Sequence, residues 1–175
     1  MTRWLTILPL VVLAALAALF GLYGLHHDPK VQPHAMVGRP MPDLALPTLE
    51  DGRPARLRQL TAQGPVVVNF FASWCAPCEV EAPQLSALAA RGVRVVGVAY
   101  KDQPPKTQAF LARLGDPYVA RLSDPDGRAG VEFGVTGVPE TYLVGRDGVI
   151  LSKHTGPLEA ADVAALAKQA ALTPR

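Results

Sequence analysis

Length, composition and charge indicate one globular domain of ordinary size and give no support for a nucleic-acid-binding role. The chain has 175 residues, 49% of them hydrophobic, and a formal net charge of +2 at pH 7. A domain typically takes about 100–200 residues, so no second large domain fits beside an apolar N-terminal segment. Nucleic-acid-binding proteins usually carry a strong positive charge with clustered basic residues, and this sequence has neither.

Residues 1–25 predict a membrane anchor. Residues 4–25 are an uninterrupted uncharged stretch, and about 20 apolar residues are enough to span a bilayer as a helix. Trp4 and Tyr23 lie near its ends, where aromatic side chains favour the membrane–water interface. A cleaved signal peptide is the alternative, but its apolar core is typically only about 7–15 residues, and no good cleavage site follows. Arg3 predicts that the N-terminus is cytoplasmic and that the rest of the chain lies outside.

A proline-rich stretch follows the apolar segment and predicts a tether. Residues 26–42 lack hydrophobic periodicity, which is typical of a linker. We interpret His26 and His27 as part of this solvated tether, although two adjacent histidines are also possible metal ligands. Residues 43–175 are then the predicted domain.

The predicted domain alternates between strand and helix patterns. We expect extended segments at 43–53, 66–71, 93–100, 118–122, 141–144 and 149–153. We expect helices or helical turns at 56–60, 75–91, 106–114, 128–133 and 158–172. This order predicts β-α-β crossovers, then a hairpin and a terminal helix, and hence an α/β fold with a central mixed sheet flanked by helices.

Residues 66–71 predict a central strand, because they are apolar nearly throughout, as in strands buried on both faces. Asn69 interrupts this apolar run. In the helix that follows, Pro83 is expected to produce a kink. Four residues are candidates for the buried face of that helix: Val80, Leu85, Leu88 and Ala89.

The only two cysteines of the chain, Cys75 and Cys78, lie where strand pattern gives way to helix pattern. At a helix start, free backbone N–H groups and the positive end of the helix dipole favour an anion, so Cys75 is expected to be the nucleophilic thiolate. Cys78 lies one turn later on the same side and can resolve a mixed disulfide. Pro77 suits the first helical turn, where its missing N–H is not needed. The spacing therefore predicts a thiol–disulfide redox site.

Three other interpretations of the cysteine pair are weaker. A zinc site needs about four ligands, but there is no second cysteine pair and the histidines are scattered. A structural disulfide across so short a loop constrains the unfolded chain little. Two reduced core cysteines remain an alternative, against which the helix-start position argues. We expect no metal and no cofactor, and we expect Trp74 to shield one flank of the pair and to meet a partner polypeptide.

The order of elements, with W-C-x-x-C after the first central strand, resembles the thioredoxin fold over residues 36–173. Residues 137–141, Gly-Val-Pro-Glu-Thr, support the resemblance, because in thioredoxin-like proteins the proline matching Pro139 is cis and packs against the cysteine pair. More narrowly, the chain resembles the DsbE/CcmG family, membrane-anchored thiol–disulfide proteins of cytochrome c maturation. Besides the anchor, the matching stretches are residues 74–78 with Glu81, 100–102 and 134–141.

This resemblance implies a function and a location. In that family the reduced cysteine pair acts on disulfides of apocytochrome c, or of the partner that presents it, so that the C-x-x-C-H sites become thiols and accept haem. The family works at the outer face of the bacterial inner membrane and takes electrons from a membrane thiol reductant. We therefore expect a single-pass inner-membrane protein whose domain faces the periplasm. A general periplasmic thioredoxin-like disulfide reductase and a tethered module that binds apocytochrome remain alternatives.

One departure from thioredoxin concerns the charge beneath the cysteine pair. Thioredoxins carry an aspartate at the position of Asn69, which leaves Glu81 and Glu140 as the candidate carboxylates. Glu81 is three residues beyond Cys78 and hence its neighbour on the helix. Glu140 adjoins Pro139 and is also expected to face the site. Negative charge beside a thiol raises its pKa, and we expect the pair to be reducing.

Overall fold

The computed structural model describes the backbone of residues 2–24 and all of residues 36–173, and within the first helix it describes the side chains of residues 7–22. The chain divides into two units, residues 1–32 and residues 33–175. Most of the predicted tether, including His26 and His27, lies outside the described residues, as do the side chains of Trp4 and Tyr23.

The first unit contains one helix, α1 (Thr2–Gly24). Large apolar side chains along it are exposed, among them Leu10, Leu13 and Phe20. Among the residues that the structure describes, no helix is both long and apolar enough to cross a bilayer. The predicted anchor therefore stays a prediction.

The second unit is built around a five-stranded mixed sheet. Its elements are β1 (Ala45–Pro47), β2 (Pro54–Arg56), α2 (Leu57–Thr61), β3 (Val66–Phe71), α3 (Ala76–Ala90), β4 (Arg94–Tyr100), α4 (Pro104–Leu114), β5 (Tyr118–Asp124), α5 (Arg128–Phe133), β6 (Glu140–Val144), β7 (Ile150–Thr155) and α6 (Ala160–Leu172). The strand order is β5-β4-β3-β6-β7. Strands β3, β4 and β5 are parallel, whereas β6 is antiparallel to β3 and β7. This is the thioredoxin-like α/β fold that the sequence predicted.

Strand β3 is central because both of its faces are covered. All six of its residues are buried, and successive side chains alternate between the faces. Val67 and Phe71 pack among core residues of α3, α4 and α6, whereas Val68 and Phe70 pack among those of α2 and α5. Burying each large apolar side chain contributes roughly 1.5–3 kcal/mol. The carboxyl end of β3, which leads to Cys75, is therefore anchored on two sides.

The domain begins before the predicted boundary at residue 43. The backbone N–H groups of Gly38 and Met41 donate to the carbonyls of Ile150 and Gly148, at 2.8 and 2.7 Å, and Met41 is buried. Residues 38–41 therefore cover the start of the edge strand β7 instead of belonging to the tether. Local sequence did not indicate this, because the segment has no strand periodicity and its partner lies far along the chain.

Helix α3 exposes one of the residues that we predicted to be buried. Its buried residues recur every three or four positions, as a helix packed on one side requires: Cys78, Glu81, Ala82, Leu85 and Leu88. Val80 falls outside this stripe and is 70% exposed, so its prediction as a buried residue was wrong. The helix runs from Ala76 to Ala90 with Pro83 inside it.

Strands β1 and β2 pair as a small antiparallel hairpin, where we predicted a single strand and a turn.

Gly97, at the centre of β4, is predicted to be sensitive to added volume. A Cβ atom there would lie 2.8 Å from the Tyr118 ring and 2.9 Å from the Phe71 ring. These two rings are buried and stacked, with centroids 5.0 Å apart, so neither can move aside easily. We expect G97A to lower the free energy of unfolding by about 1–3 kcal/mol, measured by urea denaturation.

The matched control is G137A, because a Cβ atom at Gly137 meets nothing within 4 Å. We expect the control to unfold at nearly the wild-type urea concentration. Equal unfolding midpoints for the two variants would contradict the tight packing at Gly97.

Candidate active site

Cys75 is the N-cap residue of α3, and its sulfur interacts with the start of the helix. The Cys75 Sγ atom accepts a hydrogen bond from the backbone N–H of Cys78 at 3.2 Å. The two sulfurs are bonded to each other at 2.06 Å, so the structure represents the oxidised protein. In the reduced protein, a sulfur at this position is stabilised as thiolate by the N–H group and by the helix dipole.

The two cysteines are distinguished by position on the helix more than by exposure. Cys75 is 4% exposed and Cys78 is 2% exposed, a difference too small to decide which sulfur a substrate meets first. Cys75 occupies the N-cap, whereas Cys78 lies inside the first turn. The prediction that Cys75 attacks and Cys78 resolves therefore rests on the position of Cys75 at the N-terminus of the helix.

The loop before β6, residues 134–139, reaches the cysteine pair, and we call it the proline loop. The Val138–Pro139 peptide bond is cis, and the Val138 carbonyl oxygen lies 3.5 Å from Cys75 Sγ. Pro139 itself is buried. The structure thus places this proline loop where the resemblance to thioredoxin-like proteins implied.

Glu81 is fully buried on the inner side of α3. Its Oε1 atom accepts a hydrogen bond from Asn69 Nδ2 at 2.9 Å, and its Oε2 atom accepts one from the Leu158 backbone N–H at 3.2 Å. Burial raises the pKa of Glu81 to about 7, against the opposing effect of these two hydrogen bonds. Glu81 is therefore a carboxyl group that titrates near neutral pH, three residues from Cys78, and not a solvated surface charge.

Asn69 connects Glu81 to two other strands of the sheet. Its Nδ2 atom also donates to Thr141 Oγ1 at 3.1 Å, and its Oδ1 atom accepts from the Tyr118 hydroxyl at 2.8 Å. Burial holds the pKa of Tyr118 well above its ordinary value, so the hydroxyl stays a donor. Thr141 and Tyr118 were not identified from the sequence, because no local pattern shows that they meet Asn69.

Glu140 does not face the cysteine pair. On β6 its neighbour Thr141 points toward Asn69, and adjacent strand residues point to opposite faces of the sheet. The Glu140 Oε2 atom lies 3.0 Å from Lys153 Nζ, and both side chains are fully buried. The expectation that Glu140 places negative charge beside the thiols was therefore wrong. Being next to the proline in sequence did not determine on which face the side chain lies.

Asp102 is another buried carboxylate, and it holds the segment that leads to Cys75. Asp102 accepts hydrogen bonds from the Ser73 N–H and Oγ, at 2.7 and 2.8 Å, and from Thr107 Oγ1 and the Gln103 N–H, each at 2.8 Å. Burial opposes ionisation of Asp102, but these hydrogen bonds outweigh it and hold the pKa below its ordinary value. The sequence indicated Asp102 only as part of the family motif at residues 100–102.

Trp74 lies in the chain between Ser73, which Asp102 holds, and Cys75. Its Nε1 atom donates to the Lys101 carbonyl at 3.2 Å, yet the residue is 59% exposed. Other exposed apolar residues follow on the first turns of α3: Ala76, Pro77 and Val80. Together they offer an apolar surface next to Cys75, which suits contact with a polypeptide.

The site has what thiol–disulfide exchange requires. A sulfur at a helix start is stabilised there as thiolate, a second sulfur is bonded to it, and the exposed Trp74 is its neighbour in the chain. Set on a thioredoxin-like sheet, this arrangement places the protein among the thiol–disulfide oxidoreductases of the thioredoxin fold.

Comparison with known proteins identifies the family. The Redoxin family model matches residues 36–169. The chain is 39% identical over 158 residues to the thiol:disulfide interchange protein HelX of Rhodobacter capsulatus, covering 90% of each chain. It is 42% identical over 134 residues to the thiol:disulfide interchange protein DsbE of Allochromatium vinosum, covering 76% of this chain and 74% of that one. The crystal structure of a DsbE protein from Chlorobium tepidum matches with a TM-score of 0.65 and 30% identity, over 76% of this chain and 94% of the other. The chain belongs to the Redoxin family and, within it, to the DsbE-type thiol:disulfide interchange proteins.

The buried Glu81 predicts that stability depends on pH near neutrality. Its pKa is about 7 in the folded protein against an ordinary value of 4.5, so the folded state binds this proton more tightly than the unfolded state. The contribution to stability is fully present below about pH 4.5 and is lost as pH rises to about 7. We expect the stability of the wild type relative to E81Q to fall by about 3 kcal/mol over this range. Urea denaturation of the oxidised proteins at a series of pH values measures it.

E132Q is the control, because Glu132 on α5 is exposed. We expect its stability to follow the wild-type pH profile. Parallel profiles for the wild type and E81Q would show that Glu81 does not titrate in this range.

Proposed function

We propose that this protein is a membrane-anchored reductase that acts on disulfides of apocytochrome c, or of the partner that presents it, during cytochrome c maturation. The Cys75 sulfur at the N-terminus of α3, bonded to Cys78 and adjacent to Val138, is the observation that carries the redox role. Membership of the DsbE-type proteins supports it. The resemblance of residues 74–78 and 134–141 to the DsbE/CcmG family supports the assignment to cytochrome c maturation.

The reduction proceeds by two exchange steps. The Cys75 thiolate attacks one sulfur of the substrate disulfide, a Cys75–substrate disulfide forms, and the other substrate sulfur leaves as a thiolate. The Cys78 thiolate then attacks the Cys75 sulfur, the internal disulfide forms, and the second substrate sulfur leaves. Two electrons and two protons pass from the protein dithiol to the substrate. A membrane thiol reductant restores the dithiol by the same exchange.

The chain's own groups assist each step. The helix start stabilises the Cys75 thiolate before attack. Glu81 has a pKa of about 7 and lies one helical turn beyond Cys78. A group with a pKa near the working pH is suited to accept a proton, so we assign Glu81 the proton that Cys78 releases when it becomes nucleophilic.

Removal of the resolving thiol is predicted to trap the substrate. In C78S the first exchange occurs and the second does not, because no thiol remains to attack Cys75. We expect C78S to form a stable mixed disulfide with an oxidised C-x-x-C-H peptide of apocytochrome c, seen by non-reducing electrophoresis and mass spectrometry. We expect no such complex with C75S. Trapping by C75S alone would reverse the roles of the two cysteines.

Two further measurements distinguish the alternatives. A disulfide peptide of unrelated sequence serves as the comparison substrate. If wild-type protein reduces both peptides at the same rate, a general disulfide reductase is the better description. If the C75S/C78S variant still supports haem attachment in cells, the protein acts as a binding module and its thiols are secondary.

We further propose that residues 4–25 anchor the protein in the bacterial inner membrane, with the N-terminus in the cytoplasm and the domain in the periplasm. The stretch is uncharged, and the described side chains of α1 that it includes are largely exposed and apolar. A water-exposed apolar helix of this kind is unfavourable, whereas a bilayer covers it. Anchoring also keeps the domain close to a membrane thiol reductant.

The proposed anchor predicts how the chain fractionates. We expect the full chain to sediment with membranes and to resist alkaline carbonate, because its attachment is apolar. A variant that starts at residue 36 is expected to be released with the soluble periplasmic proteins when fused to a cleavable export signal. N-terminal sequencing of the membrane fraction checks that residues 4–25 are retained. A mature start near residue 26 would contradict the anchor.

A further inference from the structure

A buried ion pair lies behind the loop that contacts Cys75. The Lys153 Nζ atom is 3.0 Å from Glu140 Oε2, and neither side chain has exposed surface. Lys153 Nζ also donates to the Gly134 carbonyl at 3.2 Å. We call the two residues the Lys153–Glu140 pair. Burying two charges carries a desolvation penalty that an apolar pair of similar size would avoid, so general packing does not account for this pair.

The contacts of the pair converge on the proline loop. Glu140 Oε1 accepts hydrogen bonds from the Thr136 N–H at 3.0 Å and from Thr136 Oγ1 at 2.7 Å. The Tyr142 hydroxyl lies 2.7 Å from Glu140 Oε2 and 3.2 Å from the Phe133 carbonyl at the entrance to the loop. With the bond from Lys153 to Gly134, the loop is held near its start and at its middle.

The other end of the proline loop meets the reacting sulfur. The Val138 carbonyl lies 3.5 Å from Cys75 Sγ, and among the described residues none accepts a hydrogen bond from the Val138 N–H. Val138 is partly exposed. A polypeptide whose disulfide reaches Cys75 brings its own backbone groups to this edge, and those groups require partners. The loop position therefore determines how a polypeptide disulfide aligns with the sulfur.

We propose that Lys153 is a positioning residue for polypeptide disulfides: together with Glu140 it fixes the proline loop, and thereby the Val138 backbone beside Cys75. Lys153 touches neither sulfur and acts only through the loop. This inference rests on the disulfide exchange proposed at Cys75 but not on which polypeptide is the substrate. A small disulfide without a peptide backbone does not use the loop, so the two kinds of disulfide respond differently to a change at Lys153.

The test measures second-order rate constants for the reduced full chain and for K153M with three disulfides. One is a peptide closed by a C-x-x-C-H disulfide, one is a disulfide peptide of unrelated sequence, and one is hydroxyethyl disulfide. We expect K153M to react about tenfold more slowly with both peptides, because the loop no longer aligns them. With hydroxyethyl disulfide we expect the rate constant to stay within about twofold, because the attacking thiolate is unchanged.

Three further variants keep the test specific. K153R retains a buried cation with donors and is expected to restore most of the peptide rates. K168M removes an exposed lysine of α6 and is expected to change no rate. E140Q/K153M contains neither buried charge, so it is measured beside K153M in case the single variant does not fold, and the same selective loss is expected. Circular dichroism and the unfolding midpoint establish that each variant is folded.

The outcomes separate this inference from the proposed substrate. An equal loss with all three disulfides in a folded variant would overturn the positioning role, since Lys153 would then affect the sulfur itself. Unchanged peptide rates in both K153M and E140Q/K153M would overturn it as well. Equal wild-type rates with the two peptides would contradict the preference for apocytochrome c, while a selective effect of K153M would still support the positioning role.

Discussion

The hydrogen bond from the Cys78 N–H to the Cys75 sulfur joins the chemistry of this protein to its scaffold. It forms because the short connection from β3, which ends at Phe71, to α3, which begins at Ala76, makes Cys75 the N-cap. Strand β3 is packed on both faces, so the helix start has a defined position, and the sulfur receives the N–H group and the dipole together. The chemistry of the cysteine pair depends on this junction.

Glu81 and Glu140, both predicted from the sequence to face the pair, have different electrostatic environments. Glu81 lies on the α3 side of the sheet, and its hydrogen-bond donors among the described residues, Asn69 and the Leu158 N–H, are neutral. Burial therefore raises its pKa to about 7. Glu140 lies on the opposite side and is paired with Lys153. One carboxyl group is thus available for proton transfer near neutral pH, whereas the other serves as a hydrogen-bond acceptor and counterion.

Both segments that flank Cys75 are held by buried carboxylates. Asp102 receives the N–H and hydroxyl of Ser73, directly before Trp74, and Glu140 receives the N–H and hydroxyl of Thr136 in the proline loop. A carboxylate that accepts several short hydrogen bonds forms stronger interactions than a neutral acceptor would. The surface beside Cys75 therefore includes the exposed Trp74 and the partly exposed Val138, each on a segment that a buried carboxylate holds.

Resemblance to thioredoxin-like proteins implied the proline loop, whereas the sequence by itself determined the order of elements from β3 onward, the buried central strand at 66–71 and the cysteine pair at a helix start. These features depend on local periodicity, on residue type and on spacing along one helix, all of which are visible without tertiary structure. Only the tertiary structure decided that Glu140 faces Lys153, that Tyr118 and Thr141 meet Asn69, and that residues 38–41 cover β7. Each of these contacts joins different strands or distant segments, and a shift of one position along a strand changes the face on which a side chain lies.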